Sequence, residues 1–401
     1  MKRKKILCIA GKNNIAVGVA QYVLEKHDKI ELIGCCNSTD NGSNNFQRSF
    51  RYFCKQNNIL IKNLSELYLI DNLVFLSLEF DKIVKPSNFL SDKLYNLHFS
   101  YLPEYKGMYT SALPLLHGKS YTGVTLHKID TGIDTGDIID QIKIDLDSEI
   151  SGQVLYSRYI EEGTKLVIKN LEDILNDNVI AFPQNPHKST YYSKKTIDYS
   201  NLEINLNNTA YQIKSQIRAF TFPAYQLPVL FGYHIYRASI TNVRSKKKAG
   251  NVVSETNFNL LISTTDYDLI LHKDLREELF VSAKEGNIVV LINFINNDYD
   301  IYQRSKEGWD IAIIAAYNGQ FKYLRYVLEV LKWDVNTVNN NGTTLLMYLM
   351  TYTFKSNDTS LLRYFIENHN PIYSLKDYYG HDIEYYAQKQ GNLNVLELIK
   401  K

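Results

Sequence analysis

Three polar residues in the middle of the chain carry the side chains that acyl transfer needs. Asn96 and His98 stand two positions apart, and Asp134 lies between Gly132 and Gly136. An imidazole can take the proton of an amine that attacks a carbonyl, while a carboxamide N–H donates to the developing oxyanion. A carboxylate beside the imidazole orients it, raises its basicity or relays the proton through water. Such a trio could run acyl transfer without a metal or a covalent intermediate.

The predicted elements around the trio would place its members side by side. Residues 95–98 have the pattern of a strand end, and because strand side chains alternate, Asn96 and His98 point to one face. The glycines around Asp134 indicate close approach of the backbone to a ligand. The sequence further predicts a short helix at 111–117 and strands at 123–130 and 137–144. An Asn-x-His at a strand end is also a common hydrogen-bonded turn device, so other motifs must decide.

The first part of the chain, 1–185, is predicted to be an α/β domain. A strand, a helix and a second strand in succession form a parallel βαβ unit. The elements predicted for this domain are strands at 5–10, 30–36 and 73–78 and helices at 15–24, 46–56 and 152–175. The turn at 11–14 lacks the G-x-G-x-x-G spacing of a dinucleotide site, so NAD is not expected. The N-terminus of the first helix still offers amide groups to an anion.

Residues 186–270 predict a small mixed α/β region of a helix and hairpins. Tyrosines recur there among short alternating runs. The pattern indicates a helix at 208–220 followed by β-hairpins. Its densest aromatic patch is 218–225.

Residues 271–401 predict helical pairs with an internal repeat. Gly286 and Gly319 are 33 residues apart, and Gly391 follows 72 residues later. The segments around Gly308, Gly342 and Gly380 align with the same period. They resemble ankyrin repeats, although the usual Thr-Pro is replaced by Asp310-Ile311 and an insertion falls at 351–360. The repeats are therefore degenerate, and the region is expected to be an all-α ankyrin-repeat module.

Composition excludes several classes of protein. The formal net charge of +2 argues against a nucleic-acid-binding protein, and the basic runs 2–5 and 244–248 are expected to be solvated. No apolar run approaches the roughly 20 residues of a membrane span, and the amino-terminal run lacks a cleavage site. We therefore expect a cytoplasmic protein without a membrane or nucleic-acid partner. The four cysteines are expected to be reduced core residues rather than disulfides or zinc ligands. They are Cys8, Cys35, Cys36 and Cys54.

The order of the central motifs closely resembles the formyltransferases that use 10-formyltetrahydrofolate. Residues 96–103 (NLHFSYLP) match the N-x-H-x-S-x-L-P motif of that family, and 133–136 (IDTG) match its [LI]-D-x-G motif. Lys106-Gly107, His117-Gly118 and 122–125 (TGVT) stand between them in the same order. Phe99 departs from the family, which often has Pro there. The resemblance implies a Rossmann-like catalytic domain, Asn96, His98 and Asp134 as catalytic residues, 10-formyltetrahydrofolate as co-substrate and no metal.

The resemblance also implies where the folate and the acceptor bind. Segment 80–84 and the loop 130–137 look like those that hold the pterin ring. The cofactor residues implied are Phe80, Lys82, Ile83, Val84, Asp130 and Asp137. Asn-rich 11–14 and segment 46–51 are similar to those of the branch that formylates nucleotide-linked amino sugars. The substrate residues implied are Asn13, Gln47, Arg48, Arg51, Phe220 and Tyr225.

A nucleotide-linked amino sugar is the acceptor that fits best. Formylation of methionyl-tRNA needs an extended basic surface, which the charge balance does not offer. Glycinamide ribonucleotide enzymes are usually single compact domains, which leaves the C-terminal extension unexplained. Arg48 and Arg51 suit a diphosphate and Phe220 and Tyr225 a base, although both pairs can equally be a solvated helix face and core aromatics. From the resemblance alone we expect a dTDP-3-amino-3,6-dideoxyhexose for surface polysaccharide (lipopolysaccharide) biosynthesis, and a homodimer.

Two other functions stay open. One is a hydrolase that releases formate from 10-formyltetrahydrofolate, with water in place of the amine. The other is a binding protein that works through its ankyrin module. Trp309 follows the repeat glycine, where it can stack on a ligand or partner or pack on the next repeat. The module can accordingly bind a protein, extend a subunit interface or hold a regulatory ligand.

Overall fold

The computed structural model of the chain describes residues 5–200, 202–391 and 393–399. Residues 2–4 of the predicted basic run lie outside the described residues. The chain divides into two units, of which the first comprises Met1–Ser43 and Gln47–Lys273 and the second contains Asp274–Lys401.

A seven-stranded sheet forms the centre of the first unit. The strands of this part of the chain are β1 (Lys5–Gly11), β2 (Ile30–Cys36), β3 (Leu60–Ile61), β4 (Leu73–Leu78), β5 (Leu94–His98), β6 (Lys106–Gly107), β7 (Tyr121–Lys128), β8 (Ile138–Asp145) and β9 (Tyr191–Tyr192). The strand order is β3-β2-β1-β4-β5-β7-β8, in which the first five strands pair in parallel, β7 pairs antiparallel with β5, and β8 pairs antiparallel with β7. The two short strands β6 and β9 pair separately. This is the Rossmann-like α/β arrangement that the sequence predicts.

Helices cover both faces of this sheet, which explains why its central strands are largely buried and mostly apolar. The helices are α1 (Asn13–Lys26), α2 (Phe50–Gln56), α3 (Leu64–Leu67), α4 (Leu113–Leu116) and α5 (Gly152–Asn176). All six residues of β4 are buried, as expected of a parallel strand covered on both sides. One face packs Leu7 and Ile9 against α1 and α5, and the other packs Cys8 and Phe75 in a second cluster.

Several predicted boundaries shift in the structure. Strands β2 and β4 have the predicted bounds, but the helix predicted at 46–56 begins at Phe50. Ser49 precedes it as the N-cap, where its hydroxyl accepts from the Tyr52 amide. The short helix predicted at 111–117 is α4, which contains only 113–116.

A second sheet follows within the first unit. Its strands are β10 (Val229–Leu230), β11 (Tyr233–Arg244), β12 (Val252–Glu255), β13 (Asn259–Ile262) and β14 (Tyr267–Lys273), in the antiparallel order β10-β11-β14-β13-β12. Helix α6 (Ala210–Phe220) packs Ile213 and Ile217 into the same core as Leu271. A helix followed by hairpins was predicted, and both are present. Because these elements belong to the first unit, the division between residues 185 and 186 stays a prediction.

The second unit consists of consecutive helices. They are α7 (Arg276–Glu285), α8 (Ile288–Asn296), α9 (Ile311–Tyr317), α10 (Phe321–Glu329), α11 (Leu345–Ser356), α12 (Ser360–Asn368), α13 (Ile383–Gln390) and α14 (Leu393–Ile399). Gly286, Gly319 and Gly391 end α7, α9 and α13 at positive φ, a conformation that glycine adopts without steric cost. Among the described residues, no helix combines the length and apolar character needed to cross a membrane.

Candidate active site

The end of β5 brings the predicted trio together. Asn96 lies opposite His127 on the antiparallel neighbour β7, and His98 lies opposite Thr125. Asp134 stands in the loop between β7 and β8, at a φ of +55°. Its carboxylate reaches both β5 side chains, so residues 38 positions apart in sequence share one site.

His98 is held between a carbonyl and a carboxylate. The residue is 8% exposed, and Nε2 lies 2.8 Å from the carbonyl oxygen of Tyr105. Because a carbonyl can only accept, Nε2 carries the hydrogen and donates it. Nδ1, which lies 3.5 Å from Asp134 Oδ2, then holds the lone pair. His98 is thus poised to accept a proton on Nδ1, and the resulting cation would face a carboxylate.

Asn96 is oriented by a histidine that the sequence analysis did not single out. Nδ2 of Asn96 lies 3.0 Å from Nε2 of His127, whose Nδ1 lies 2.7 Å from the carbonyl of Lys128. Nδ1 therefore donates to that carbonyl, and Nε2 accepts from Asn96. The second N–H of Asn96 makes only a long contact, 3.4 Å to Asp134 Oδ1. This hydrogen is the one that a substrate oxygen could take.

Asp134 is a largely buried carboxylate that stays ionised. Its side chain is 13% exposed, and Oδ2 accepts from the Gly107 amide at 2.9 Å. Burial raises the pKa of Asp134, but the neighbouring imidazoles of His98 and His127 and the hydrogen bond from the Gly107 amide together hold that pKa well below its usual range. Among the described residues, no group of three or more His, Cys, Asp or Glu is placed to hold a metal ion. The geometry supports proton transfer and oxyanion stabilisation by side chains.

The residues expected to hold the folate fall in two loops beside the trio. Phe80 and Val84 follow β4 and pack, with Ile129 at the end of β7, against one core cluster. Lys82 and Ile83 are exposed. Asp130 accepts from the Gly132 amide at 3.0 Å and the Thr135 hydroxyl at 2.6 Å, so its carboxylate shapes the loop around Asp134. Asp137 is exposed, and its carbonyl accepts from the Lys128 amide.

Asn13, expected to contact the substrate, belongs to a polar cluster with Glu79 and Tyr156. Asn13 Nδ2 donates to the Tyr156 hydroxyl at 2.8 Å and to Glu79 Oε2 at 3.3 Å. The Tyr156 hydroxyl lies 3.0 Å from both oxygens of Glu79. The cluster joins the start of α1, the end of β4 and α5.

The segment before α2 is held in place by hydrogen bonds of Gln47, Arg48 and Arg51. Gln47 Oε1 accepts from the Asn14 amide at 3.2 Å, and the Arg48 amide donates to Asn14 Oδ1 at 3.0 Å. The Arg51 guanidinium donates through Nε to the carbonyl of Asp40 at 2.7 Å. The contacts with Asn14 link the segment before α2 to the first turn of α1, and both arginines are half-buried rather than fully solvated.

The two aromatic residues expected to bind a base have different surroundings. Phe220 is 7% exposed and packs in the core edge-on to Tyr199. Tyr225 is 63% exposed and stacks on Phe222, with ring centroids 4.8 Å apart. Phe222 in turn lies 5.6 Å from the ring of Tyr156. The aromatic run from Tyr225 to Tyr156 therefore ends at the polar cluster of Asn13.

In the second unit, Trp309 packs among tyrosines. Its ring is edge-on to Tyr317 at 5.0 Å and to Tyr348 at 4.9 Å, and the residue is half-buried. Tyr348 belongs to α11, the helix that follows the loop of Gly342. The packing alternative to ligand stacking is thus present in the structure.

Comparison with known proteins gives sequence relatives that match part of the chain. Residues 76–171 match the model of the formyl transferase family. A methionyl-tRNA formyltransferase of Caldicellulosiruptor saccharolyticus is 31% identical over 188 residues, which cover 46% of this chain and 58% of the relative. A methionyl-tRNA formyltransferase of Clostridium tetani is 27% identical over 186 residues, which cover 44% of this chain and 57% of the relative. The chain therefore spans somewhat more than half the length of these curated relatives.

Two solved structures match more of the chain. The N-formyltransferase of Helicobacter canadensis, in complex with folinic acid and dTDP-3-aminofucose, is 40% identical with a TM-score of 0.62. The alignment covers 67% of this chain and 99% of that one. WlaRD, a sugar 3N-formyl transferase in the presence of dTDP and 5-N-formyl-THF, is 40% identical with a TM-score of 0.62, over 68% of this chain and 98% of that one. Since relatives at this identity are matched over nearly their whole length, the chain belongs to the formyltransferase family.

Proposed function

We propose that the chain transfers a formyl group from 10-formyltetrahydrofolate to the amine of a nucleotide-linked amino sugar. The observation that carries this proposal is the convergence of Asn96, His98 and Asp134 at the end of β5. Nδ1 of His98, 3.5 Å from Asp134, can act as the base, and one N–H of Asn96 is weakly engaged. Both are the functions that acyl transfer to an amine requires.

In the proposed reaction the acceptor amine attacks the formyl carbon, and the bond from that carbon to N10 of the folate breaks. Nδ1 of His98 takes the proton that the amine loses. Asn96 and protonated His98 donate to the oxyanion, while ionised Asp134 offsets the charge of protonated His98. His98 then releases this proton through Asp134 to the leaving nitrogen, so the proton that the amine loses is the one that N10 gains.

The folate is proposed to bind between the loop after β4 and the loop that carries Asp134. Exposed apolar side chains in both loops, Ile83 and Ile133, suit the flat apolar face of a pterin. The walls of this site would be formed by Phe80, Val84, Asp130 and Asp137. Exposed Lys82 would offer a cation to the carboxylates of the folate tail. The Helicobacter canadensis relative was solved with folinic acid, which supports a folate co-substrate.

The amino sugar is supported by the relatives and by the aromatic run. Relatives matched over nearly their whole length include a complex with dTDP-3-aminofucose, whereas the methionyl-tRNA formyltransferases are matched over little more than half. We propose Tyr225 and Phe222 as the platform for the base, since Phe220 lies in the core. Arg48 and Arg51 would face the diphosphate, with Asn13 at the start of α1 and Gln47 in the segment before α2. A dTDP-3-amino-3,6-dideoxyhexose and a homodimer are parts of this proposal.

The test is turnover by purified protein and by the His98→Asn variant. We expect formyl transfer to a dTDP-3-amino sugar to fall about a thousandfold in the variant, because it loses the base, while thermal unfolding is unchanged. His234→Asn, at an exposed histidine of the second sheet, is the matched control and should keep full activity. Near-normal turnover by His98→Asn would show that His98 is not the base. Formylation of methionyl-tRNA instead of the sugar, or formate release without any acceptor, would replace the proposed substrate.

We also propose that the second unit is an ankyrin-type repeat array, on the strength of three equivalent loops. Gly308, Gly342 and Gly380 have φ values of +82°, +74° and +81°. Two residues after each glycine a side chain caps the next helix by accepting a backbone N–H. The three capping residues are Asp310, Thr344 and Asp382.

The same loops share a second hydrogen-bond pattern. The residue three positions before each glycine accepts, through its side chain, the amides of the residues on both sides of that glycine. These acceptors are Ser305, Asn339 and Asp377. Each later loop also donates a backbone bond to the one before it, from Asn340 to Glu307 and from Tyr378 to Asn341. The array is proposed to bind a protein or a regulatory ligand, with Trp309 on the surface that binds it.

A further inference from the structure

Segment 184–192, here called the brace segment, makes hydrogen bonds on both sides of the pair formed by His98 and Asp134. It follows α5 and lies outside residues 76–171, which match the family model. The sequence analysis assigned most of it to the region after the catalytic domain. Its hydrogen bonds nevertheless end on the two loops that hold His98 and Asp134.

The first end of the brace segment ties down the loop that faces His98. The hydroxyl of Thr190 accepts from the Tyr105 amide at 2.7 Å, and its carbonyl accepts from the Lys106 amide at 3.0 Å. The Thr190 amide donates to the carbonyl of Pro103 at 3.2 Å. Tyr105 has a φ of +59°, which costs a residue other than glycine about 1–2 kcal/mol. The Tyr105 carbonyl, the acceptor for His98, is therefore aimed by contacts from Thr190.

The other end ties down the loop that carries Asp134. Nε2 of Gln184 donates to the carbonyl of Asp134 and to that of Gly136, both at 2.8 Å. Asp134 itself has a positive φ of +55°. A single side chain thus bridges two carbonyls of the tight loop and holds the carboxylate in place.

A third link joins the two loops directly. Strand β9 pairs with β6, where the Met108 amide donates to the carbonyl of Tyr192 at 2.9 Å. The Gly107 amide of β6 then donates to Asp134 Oδ2 at 2.9 Å. The contact between His98 Nδ1 and Asp134 Oδ2 consequently depends on the loop of Tyr105 and the loop of Asp134, and the brace segment holds both.

We infer that the brace segment sets the proton position of His98 and its distance to Asp134, with Thr190 and Gln184 as positioning residues for formyl transfer. The inference rests on the proposed function for its kinetic consequence. If Tyr105 turns, Nε2 of His98 loses its acceptor, and the proton can move to Nδ1, where it would block the base. If the Asp134 loop shifts, the carboxylate no longer faces the imidazole.

The test uses the full chain with Thr190→Val, which keeps the shape of the side chain and removes the hydroxyl that accepts from Tyr105. Because Thr190 is exposed, the variant is expected to fold. We expect kcat to fall about tenfold to a hundredfold with KM changed by less than about threefold, since geometry and not binding is lost. Thr190→Ser, which restores an acceptor, should bring kcat back to within about threefold of the original. Gln184→Leu should lower kcat in the same way.

A second readout does not need activity. In protein labelled with ¹⁵N-histidine, we expect His98 to carry its proton on Nε2, and Thr190→Val to increase the Nδ1–H form. Thr256→Val is the matched control, because Thr256 likewise accepts backbone amides, from Phe258 and Asn259, but in the second sheet. An unchanged kcat in Thr190→Val, or a loss that Thr190→Ser does not rescue, would overturn the inference. If no formyl transfer is found at all, the proposed function fails. The tautomer of His98 still tests the inference about the brace segment, and an unaltered tautomer in Thr190→Val would overturn it.

Discussion

The carboxyl group of Glu79, the residue after β4, forms hydrogen bonds with Tyr156 and Asn13. Burial raises the pKa of Glu79 from 4.5 to about 7, against the opposing effects of Lys12, Tyr156 and Asn13. The folded protein therefore holds the Glu79 proton more tightly than the unfolded chain does. Stability from this group is fully present below about pH 4.5 and is lost as the pH rises to about 7.

Glu79→Gln keeps a neutral side chain of the same shape and cannot ionise. We expect its free energy of unfolding, relative to that of the original protein, to be about 1–3 kcal/mol higher at pH 8 than at pH 5, because only the original protein loses stability when Glu79 ionises. Urea unfolding at the two pH values measures this difference. The pH 5 measurement is the internal control, since it contains any change in hydrogen bonding that the amide causes. An equal difference at both pH values would contradict the buried carboxyl as the cause.

At the residue scale, the chemical types and order of Asn96, His98 and Asp134 could be predicted from the sequence, and the structure brings the three together. His127 was missed although it sits in a predicted strand. Alternation shows that Thr125 and His127 share a face of that strand, but only the register across β5 places His127 beside Asn96. That register depends on pairing between strands and is not written in either strand alone.

At the element scale, the short pairing of β6 with β9 requires a glycine at position 107. Gly107 has a φ of +87°, and a Cβ there would lie 2.2 Å from the carbonyl oxygen of Tyr192. Its amide also donates to Asp134. A side chain would therefore push β9 away and move a hydrogen bond of the active site.

Gly107→Ala is expected to lower the free energy of unfolding by about 3 kcal/mol or more, from strain at positive φ and the clash together. Formyl transfer should fall as well. Gly232→Ala is the matched control, because Gly232 has a φ of +82° with nothing within 4 Å of its Cβ position. That variant should lose only about 1 kcal/mol and keep its activity. Thermal unfolding and kcat are the measurements, and equal losses in the two variants would show that the contact with Tyr192 is unimportant.

Element boundaries were predicted well where burial alone decides them. Strands β2 and β4 are mostly apolar runs, and their bounds match. The helix predicted at 46–56 was too long, because periodicity extended it past Ser49, whose hydroxyl caps the true start. The brace segment could not be predicted, since its function comes from hydrogen bonds to Tyr105 and Asp134, which are distant in sequence.

At the scale of the whole molecule, the proposed active site and the proposed repeats belong to different units. Asn96, His98, Asp134 and the brace segment all lie within Met1–Ser43 and Gln47–Lys273. The period of the repeats could be read from the sequence because glycines recur where backbone turns at positive φ. The partner of the proposed array could not be predicted, because in repeat proteins the partner is set by surface side chains that vary between repeats.

Removing Asp274–Lys401 tests whether the array takes part in catalysis. We expect residues 1–273 to fold and to keep kcat within about threefold, because the site and its supports are intact. The alignment with the Helicobacter canadensis enzyme supports this, since 99% of that chain is matched by 67% of this one. Turnover and sedimentation of the truncated and full chains are the measurements, with His98→Asn in both as the inactive reference. A change in oligomeric state would assign the array to a subunit interface, and a change in kinetics alone would assign it a regulatory ligand. With neither change, both readings fail, and binding of a protein partner is the remaining role for the array.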